Sequence, residues 1–349
     1  MRTAIYLILF IFISYSEILA QRSNKSAVEK PSKTVFDETA LTGLKFRSIG
    51  PAQTSGRIAD FAVNPNNFKE YYVAVASGGV WKTVNAGTTY IPVFDQAASY
   101  SIGCITMDPN NSNVVWVGTG ENNNQRSVAY GDGVYKSIDG GETWKNMGLK
   151  NSEHIGKILV DPNDSEIIYV AAIGPLWSSG GERGVYKSVN GGETWSLMLG
   201  IDADTGINDL IMDPRDSKVI YAAAYQRRRH VFTYLGGGPG SGLHKSVDGG
   251  ATWIEINKGL PKVDMGRIGM AMAPSDPEVI YAIVEASEGK GGFFMSTNRG
   301  ASWKKQGNYN SSGNYYQEIV VDPQDAQTVY AMNTWIQVSR DGGKTFKVL

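Results

Sequence analysis

The sequence predicts an all-β protein, a β-propeller of four-stranded blades, and three observations support that fold class. An eight-residue pattern, S-x-D-G-G-x-T-W in its best copies, recurs six times at spacings of about 43 to 58 residues. An Asp-Pro turn followed by a strand recurs in the same register. The intervening segments have the β-branched and aromatic content of strands and no helical period. One unit cannot bury both faces of its sheet, so the repeats must stack around an axis.

The eight-residue pattern is predicted to form the turn between the third and fourth strands of each blade. An Asp or Asn side chain accepts hydrogen bonds from the backbone of a tight turn, and glycine permits positive φ there. The copies are TVNAGTTY from Thr83, SIDGGETW from Ser137, SVNGGETW from Ser188, SVDGGATW from Ser246, STNRGASW from Ser296 and SRDGGKTF from Ser339. We expect a structural role for Asp139, Asn190, Asp248, Asn298 and Asp341.

These turns lack the alternating acidic ligands and terminal Glu of a calcium loop, so no metal site is predicted. No phosphate-binding loop and no His/Cys metal spacing occurs elsewhere in the sequence. We therefore expect no cofactor.

Residues 1–20 are predicted to be a signal peptide. Arg2 precedes an apolar run from Ala4 to Ser14, and the small residue Ala20 marks the cleavage site. The run is shorter than the roughly 20 residues that a spanning helix needs. We expect a secreted, periplasmic or cell-surface protein with no stable membrane span after cleavage. Residues 21–43 are predicted to be a flexible segment, and residues 44–349 the propeller.

Charge and cysteine content exclude two other classes. Lys plus Arg (33) nearly equals Asp plus Glu (34), so no basic field favours nucleic acid, and no nucleic-acid partner is expected. The single cysteine, Cys104, lies in an apolar stretch and is predicted to be buried and inert. Packing, not disulfides, must stabilise the fold.

The blade count predicts an incomplete ring. The segment 46–50, FRSIG, aligns with WKNMG at 144–148, which is an outer strand. The sequence stops at Leu349, early in the outer strand of its sixth blade. We expect truncation from seven or more blades, with a six-bladed ring closed by Phe46–Gly50 as the alternative.

The repeated turns resemble the Asp-box (BNR) repeats of sialidases, xyloglucanase-type glycoside hydrolases, the Vps10 domain of sortilin-like receptors and a photosystem assembly factor family. The resemblance covers residues 44–349. FRSIGPAQTSGRI, with the spaced GVYKS and DGGETW units, is most similar to sortilin/Vps10-like propellers of large exported bacterial proteins. It implies that the site lies on the face formed by loops between the second and third strands, opposite the Asp-boxes.

Three loops predicted for that face are unequal and carry polar and aromatic side chains suited to sugar hydroxyls, peptide backbone or an anion. They are residues 120–133, 174–184 and 225–242. Entries to the inner strands add further side chains near the axis. A self-bonded loop, a solvated charge run or salt links within the channel wall are the alternatives. The candidate ligand-binding residues are Arg57, Asn122, Arg126, Tyr130, His154, Trp177, Arg183, Arg227, Arg229, His230, Tyr234 and Arg267.

Few residues of the sequence indicate catalysis. Glycosidases need two carboxyl groups, one able to hold a proton. Xyloglucanase-type enzymes carry a catalytic Asp before the glycine pair of the first blade, where this sequence has Ala76 and Ser77. The FRIP-type signature of sialidases is also disrupted, since FRSIGP has one residue too many. Glu121, Asp132 and Glu182 are the candidate catalytic residues.

The leading hypothesis is therefore an exported, sortilin-like module that binds a peptide, protein or carbohydrate ligand, with a non-catalytic role favoured over catalysis. One alternative is a glycoside hydrolase of the Asp-box propeller type that acts on a polysaccharide. A second alternative is an assembly scaffold at the cell surface.

Overall fold

The computed structural model describes residues 56–125 and 127–349. The predicted signal peptide, the segment 21–43, the strand at Phe46–Gly50 and Arg126 lie outside the described residues. Within the described ranges, none of the helical segments has the length and apolar character needed to cross a membrane.

The described chain folds into six four-stranded antiparallel sheets in sequence order, which confirms the predicted all-β propeller with six blades. Blade 1 contains β1 (Ile58–Val63), β2 (Tyr71–Val75), β3 (Gly79–Thr83) and β4 (Ile91–Pro92). Blade 2 contains β5 (Ile102–Asp108), β6 (Asn111–Thr119), β7 (Val134–Ser137) and β8 (Lys145–Asn146). Blade 3 contains β9 (Ile155–Asp161), β10 (Asp164–Ala172), β11 (Gly184–Ser188) and β12 (Ser196–Leu199).

Blade 4 carries an insertion between its second and third strands. It contains β13 (Thr205–Asp213), β14 (Asp216–Gln226), the added hairpin β15 (Arg228–Arg229) and β16 (Tyr234–Leu235), then β17 (Gly242–Ser246) and β18 (Ile254–Glu255). Blade 5 contains β19 (Met265–Ala273), β20 (Asp276–Ala286), β21 (Gly292–Ser296) and β22 (Lys304–Gly307). Blade 6 contains β23 (Ile319–Val321), β24 (Val329–Ala331), β25 (Gln337–Ser339) and β26 (Lys347–Val348). In the part of the chain that the structure describes, two 3₁₀ turns cover Lys150–Ser152 and Ser287–Gly289.

Apolar side chains between neighbouring sheets form the core. Each pair of consecutive blades shares one buried cluster, as between blades 4 and 5, where Tyr221, Ile268 and Ile280 are fully buried. The innermost strand of each blade contacts that of the next, from β1 to β23. The sheets are therefore stacked side by side, each covering a face that its neighbour cannot bury alone.

Antiparallel pairing separates the connections into two faces. One face contains the turns between first and second strands together with those between third and fourth strands. A hydrogen bond from Gly140 N to Asn113 O at 2.8 Å joins two such turns in blade 2. Loops between second and third strands meet the connections from blade to blade, as Gly131 N donates to Glu153 O at 2.7 Å. We call these the turn face and the loop face.

The repeated turns are held by hydrogen bonds within eight residues. Asp139 Oδ1 accepts from Thr143 N at 2.9 Å and from Ser137 Oγ at 2.7 Å, while Ser137 Oγ accepts from Gly141 N at 2.8 Å. Gly140 and Gly141 have φ of 71° and 90°, which favours glycine there. Matching bonds surround Asn190, Asp248, Asn298 and Asp341. The hydrogen bonds from Thr143 and its counterparts lower the pKa of Asp139, Asp248 and Asp341 to about 2.

A lysine and a tyrosine clamp three of these turns to the preceding blade. Lys187 Nζ and Tyr169 OH both donate to Gly249 O, at 2.9 and 3.0 Å, and Lys187 Nζ lies 5.1 Å from the Tyr169 ring centroid. The same arrangement joins blades 1 and 2, through Lys82 and Tyr72, and blades 4 and 5, through Lys245 and Tyr221. Blade 2 uses Lys136 over Trp116.

Candidate functional site

The loop face is uneven because its six loops differ in length. In blade 1 the connection between β2 and β3 is a turn of residues 76–78, whereas the loops of blades 2 and 4 cover residues 120–133 and 227–241. The blade 4 loop includes the hairpin β15–β16. Such unequal loops on a regular scaffold are where ligand sites are commonly found.

Residues 120–133, which we call the central loop, reach from blade 2 to the opposite side of the ring. Asn124 Nδ2 donates to Tyr225 OH of blade 4 at 2.8 Å, and Asn124 N donates to Asn314 O, before blade 6, at 2.9 Å. Arg229 Nε donates to Asn124 O at 2.8 Å, and Arg227 Nη1 donates to Asn123 O. The central loop therefore ties three blades together across the axis.

The base of the central loop is buried, and its polar groups are used within the protein. Glu121, Asn122, Asn123 and Asn124 are 8% exposed or less. Glu121 Oε2 accepts from Asn123 Nδ2 at 2.7 Å and lies 3.5 Å from Arg57 Nη2. This part of the loop acts as a support for the site more than as its accessible surface.

The other two carboxylates proposed from sequence also have local partners. Asp132 Oδ2 accepts from Tyr135 OH at 2.6 Å, next to the start of β7. Glu182 Oε2 accepts from Asn151 N at 2.8 Å and joins the loop of blade 3 to the connection before it. Both contacts hold loop backbone in place.

Three of the basic candidates are buried and serve the loop backbone. Arg183 donates to Ile173 O and Gly180 O, each at 2.9 Å, and Arg227 donates to Gly174 O at 3.2 Å. His154 Nδ1 lies 2.9 Å from Glu121 O, and burial holds the pKa of its imidazole well below the ordinary value.

Aromatic candidates remain open to solvent on the same face. Tyr130 is 74% exposed, Trp177 is 46% exposed and Tyr234 is 37% exposed. His230 is also exposed, at the tip of the hairpin. Arg229 lies 4.6 Å from the centroid of the Tyr234 ring, a cation–π contact that holds the ring in place. The aromatic rim is thus available to a ligand, while most candidate cations are not.

Two carboxylates that the sequence reasoning missed meet at Arg267. Arg267 Nη2 donates to Glu318 Oε1 at 3.1 Å, and Arg267 N donates to Glu285 Oε2 at 3.2 Å. Glu318 Oε1 also accepts from Asn122 Nδ2 at 3.0 Å, and Asn122 Oδ1 in turn accepts from Arg57 Nη2 at 3.4 Å. Arg57 and Arg267 therefore converge near the axis, on a shared network with Glu318.

The axis itself is lined by one residue from each blade, four positions before the Asp-Pro turn or its counterpart. Lys157 Nζ lies 3.7 Å from Asp60 Oδ2, and this carboxylate raises the pKa of the lysine. Burial raises the pKa of Asp209 to about 6 and also raises the pKa of the Cys104 thiol. Aligning the repeats is a signal that would have found this set. The axial positions are Asp60, Cys104, Lys157, Asp209, Gly269 and Glu318.

Comparison with known proteins relates this fold to a group of enzymes. The chain is 26% identical to xyloglucanase Xgh74A of Acetivibrio thermocellus, over 79% of this chain and 36% of that enzyme. It is also 26% identical to a xyloglucanase of Paenibacillus sp, over 79% of this chain and 23% of that enzyme. The structure superposes on a GH74 enzyme of Niastella koreensis with a TM-score of 0.62 at 20% identity, over 81% of this chain and 45% of the other. No family model matches the chain.

The chain is a β-propeller related to the GH74 xyloglucanases. It spans 36% of the length of the Acetivibrio enzyme. The leading hypothesis of a sortilin-like binding module is wrong, because the matching relatives are glycoside hydrolases. The sequence also favoured a non-catalytic role, because Ala76 and Ser77 stand where an acidic residue is expected. The comparisons favour the alternative of a glycoside hydrolase.

Proposed function

We propose that this protein is a glycoside hydrolase that acts on a xyloglucan-type polysaccharide. The observation that carries the proposal is the similarity to xyloglucanases along 79% of the chain. The chemistry of the loop face is compatible with it. Exposed rings such as Trp177 and Tyr234 suit the apolar faces of sugar rings.

Hydrolysis of a glycosidic bond needs a proton donor and a second carboxylate. The turn at residues 76–78 does not supply either group. Ala76 is fully buried and its N donates to Arg57 O at 2.9 Å, and the hydroxyl of exposed Ser77 cannot serve as a carboxylic acid. We therefore assign the reaction to carboxylates elsewhere on the loop face.

The proposal is tested by incubating the whole purified protein with xyloglucan and measuring new reducing ends. Unbranched β-glucan and a β-mannan serve as comparison substrates. We expect release of oligosaccharides from xyloglucan above the rate for the comparison substrates. Absence of release from every polysaccharide, by a protein whose melting transition shows that it is folded, would refute the proposal.

A further inference from the structure

We propose that Glu285 and Glu318 are the acid and the base of this hydrolysis, an inference that rests on the proposed function. Neither side chain lies at the position where xyloglucanase-type enzymes carry the acid of the first blade. Both lie at the loop face, one at the end of β20 and the other directly before β23.

Arg267 holds the two carboxylates in one place. It contacts Glu285 through its backbone N and Glu318 through Nη2, which are the two ends of one residue. Arg267 is itself 1% exposed, so these contacts are fixed by packing. Arg267 therefore fixes one carboxylate at each of its ends, and a pair of fixed carboxyl groups is what hydrolysis of a glycosidic bond requires.

Glu285 has the surroundings of a proton donor. Two glycines make room for it, since a Cβ at either Gly313 or Gly266 would clash with Glu285 Oε2. The only donor to its carboxylate among the described residues is Arg267 N. Burial raises the pKa of Glu285, against the lowering influence of Arg267. Tyr225 and Tyr234 also lie near this carboxylate, and both are uncharged at neutral pH.

Glu318 has the surroundings of a base. Its Oε1 accepts from Arg267 Nη2 and Asn122 Nδ2, whereas its Oε2 has no hydrogen-bond donor among the described residues. Its side chain is 37% exposed. One oxygen is therefore fixed, and the other is free to accept a proton from water. Contrasting environments for the two carboxyl groups of a site are the general basis for dividing acid and base roles.

Glu285 gives its proton to the glycosidic oxygen as the bond from that oxygen to the anomeric carbon breaks. A water molecule forms the new bond to the anomeric carbon and gives a proton to Glu318 Oε2. Glu285 ends as a carboxylate and Glu318 as an acid, and exchange with solvent restores both. One glycosidic bond and one water become two hydroxyl groups.

The test compares E285Q and E318Q with E288Q in the whole protein. Glu288 is exposed in the loop that follows Glu285 in blade 5, and E288Q removes the same charge as the other two substitutions. We expect E285Q and E318Q each to lower kcat on xyloglucan about 100-fold or more, with E288Q unchanged. On an aryl glycoside with a nitrophenol leaving group, E285Q should keep most of its activity, because that leaving group needs no proton, whereas E318Q should not. Melting temperatures within a few degrees of wild type verify folding.

The outcomes separate this inference from the proposed function. A wild-type protein that hydrolyses xyloglucan, with E285Q or E318Q equally active, would overturn the assignment and leave the function standing. Equal losses of E285Q on xyloglucan and on the aryl glycoside would overturn its role as the acid. A folded wild type that is inert on both substrates would overturn the function and the assignment together.

Discussion

Replacing Lys187 with Met tests the clamps between blades. The substitution removes the hydrogen bond from Lys187 Nζ to Gly249 O at 2.9 Å. It also removes the contact between the ammonium group and the Tyr169 ring. Bonds to charged groups contribute about 1.5–3 kcal/mol, and cation–π contacts about 0.5–1 kcal/mol at exposed sites. Tyr169 OH still donates to Gly249 O, so the carbonyl keeps a partner. We therefore expect the free energy of unfolding to fall by about 1–2 kcal/mol, at the low end of these contributions, and the Tm to fall by a few degrees.

The side chain of methionine is compatible with this position, because Met295 occupies the equivalent place in β21 of blade 5. Guanidinium unfolding, followed by tryptophan fluorescence, measures the difference, and exposed Lys304 changed to Met is the matched control. Adding Y169F to K187M leaves buried Gly249 O without either donor. The free energy of unfolding of the double variant should fall by about 1–3 kcal/mol more than the sum of the decreases in the two single variants. An unchanged K187M, or strictly additive losses, would refute the clamp.

Three further predictions concern the turns, the central loop and the aromatic rim. Because the pKa of Asp139, Asp248 and Asp341 is about 2 in the folded protein and about 4 when unfolded, their stabilising effect is lost as pH falls from about 4 to 2. The triple Asp→Asn variant, which copies Asn190, should show a flatter dependence of unfolding free energy on pH in that window; an unchanged slope contradicts this. Y225F leaves buried Asn124 Nδ2 without its acceptor, so the free energy of unfolding measured with denaturant should fall by about 1–3 kcal/mol. The control Y130F changes an exposed tyrosine and should show no such decrease. W177A should raise KM for xyloglucan about 3- to 10-fold with little change in kcat, whereas F68A on the turn face should not; equal KM values would remove Trp177 from the binding surface.

Much of the fold could be predicted from the sequence because its signals are local. The turn around Asp139 closes through bonds among residues 137–143, so eight letters are sufficient to recognise it. The strands between such turns follow from their β-branched and aromatic content. The clamp lysine recurs at one position of the third strand in blades 1 to 4, so an alignment of the blades is sufficient to identify it.

The candidate site was less predictable, because its contacts join residues far apart in the chain. Polar composition was compatible both with a ligand-binding central loop and with a self-bonded one, and in the structure Asn122 to Asn124 are buried beneath partners from blades 4 and 6. Arg183 and Arg227 were expected to face a ligand, and they donate to backbone carbonyl groups instead. A loop sequence does not reveal whether its polar groups face solvent or another loop.

The sequence by itself determined the repeated blade, its strands and its turns, since each is stabilised within one repeat. Only the tertiary structure decided which side chains meet at the loop face. Glu285 and Arg267 lie on paired strands of blade 5, whereas Glu318 reaches Arg267 because blades 5 and 6 pack side by side. Packing of one sheet against the next sets the distance from Arg267 to Glu318, and no single repeat encodes it.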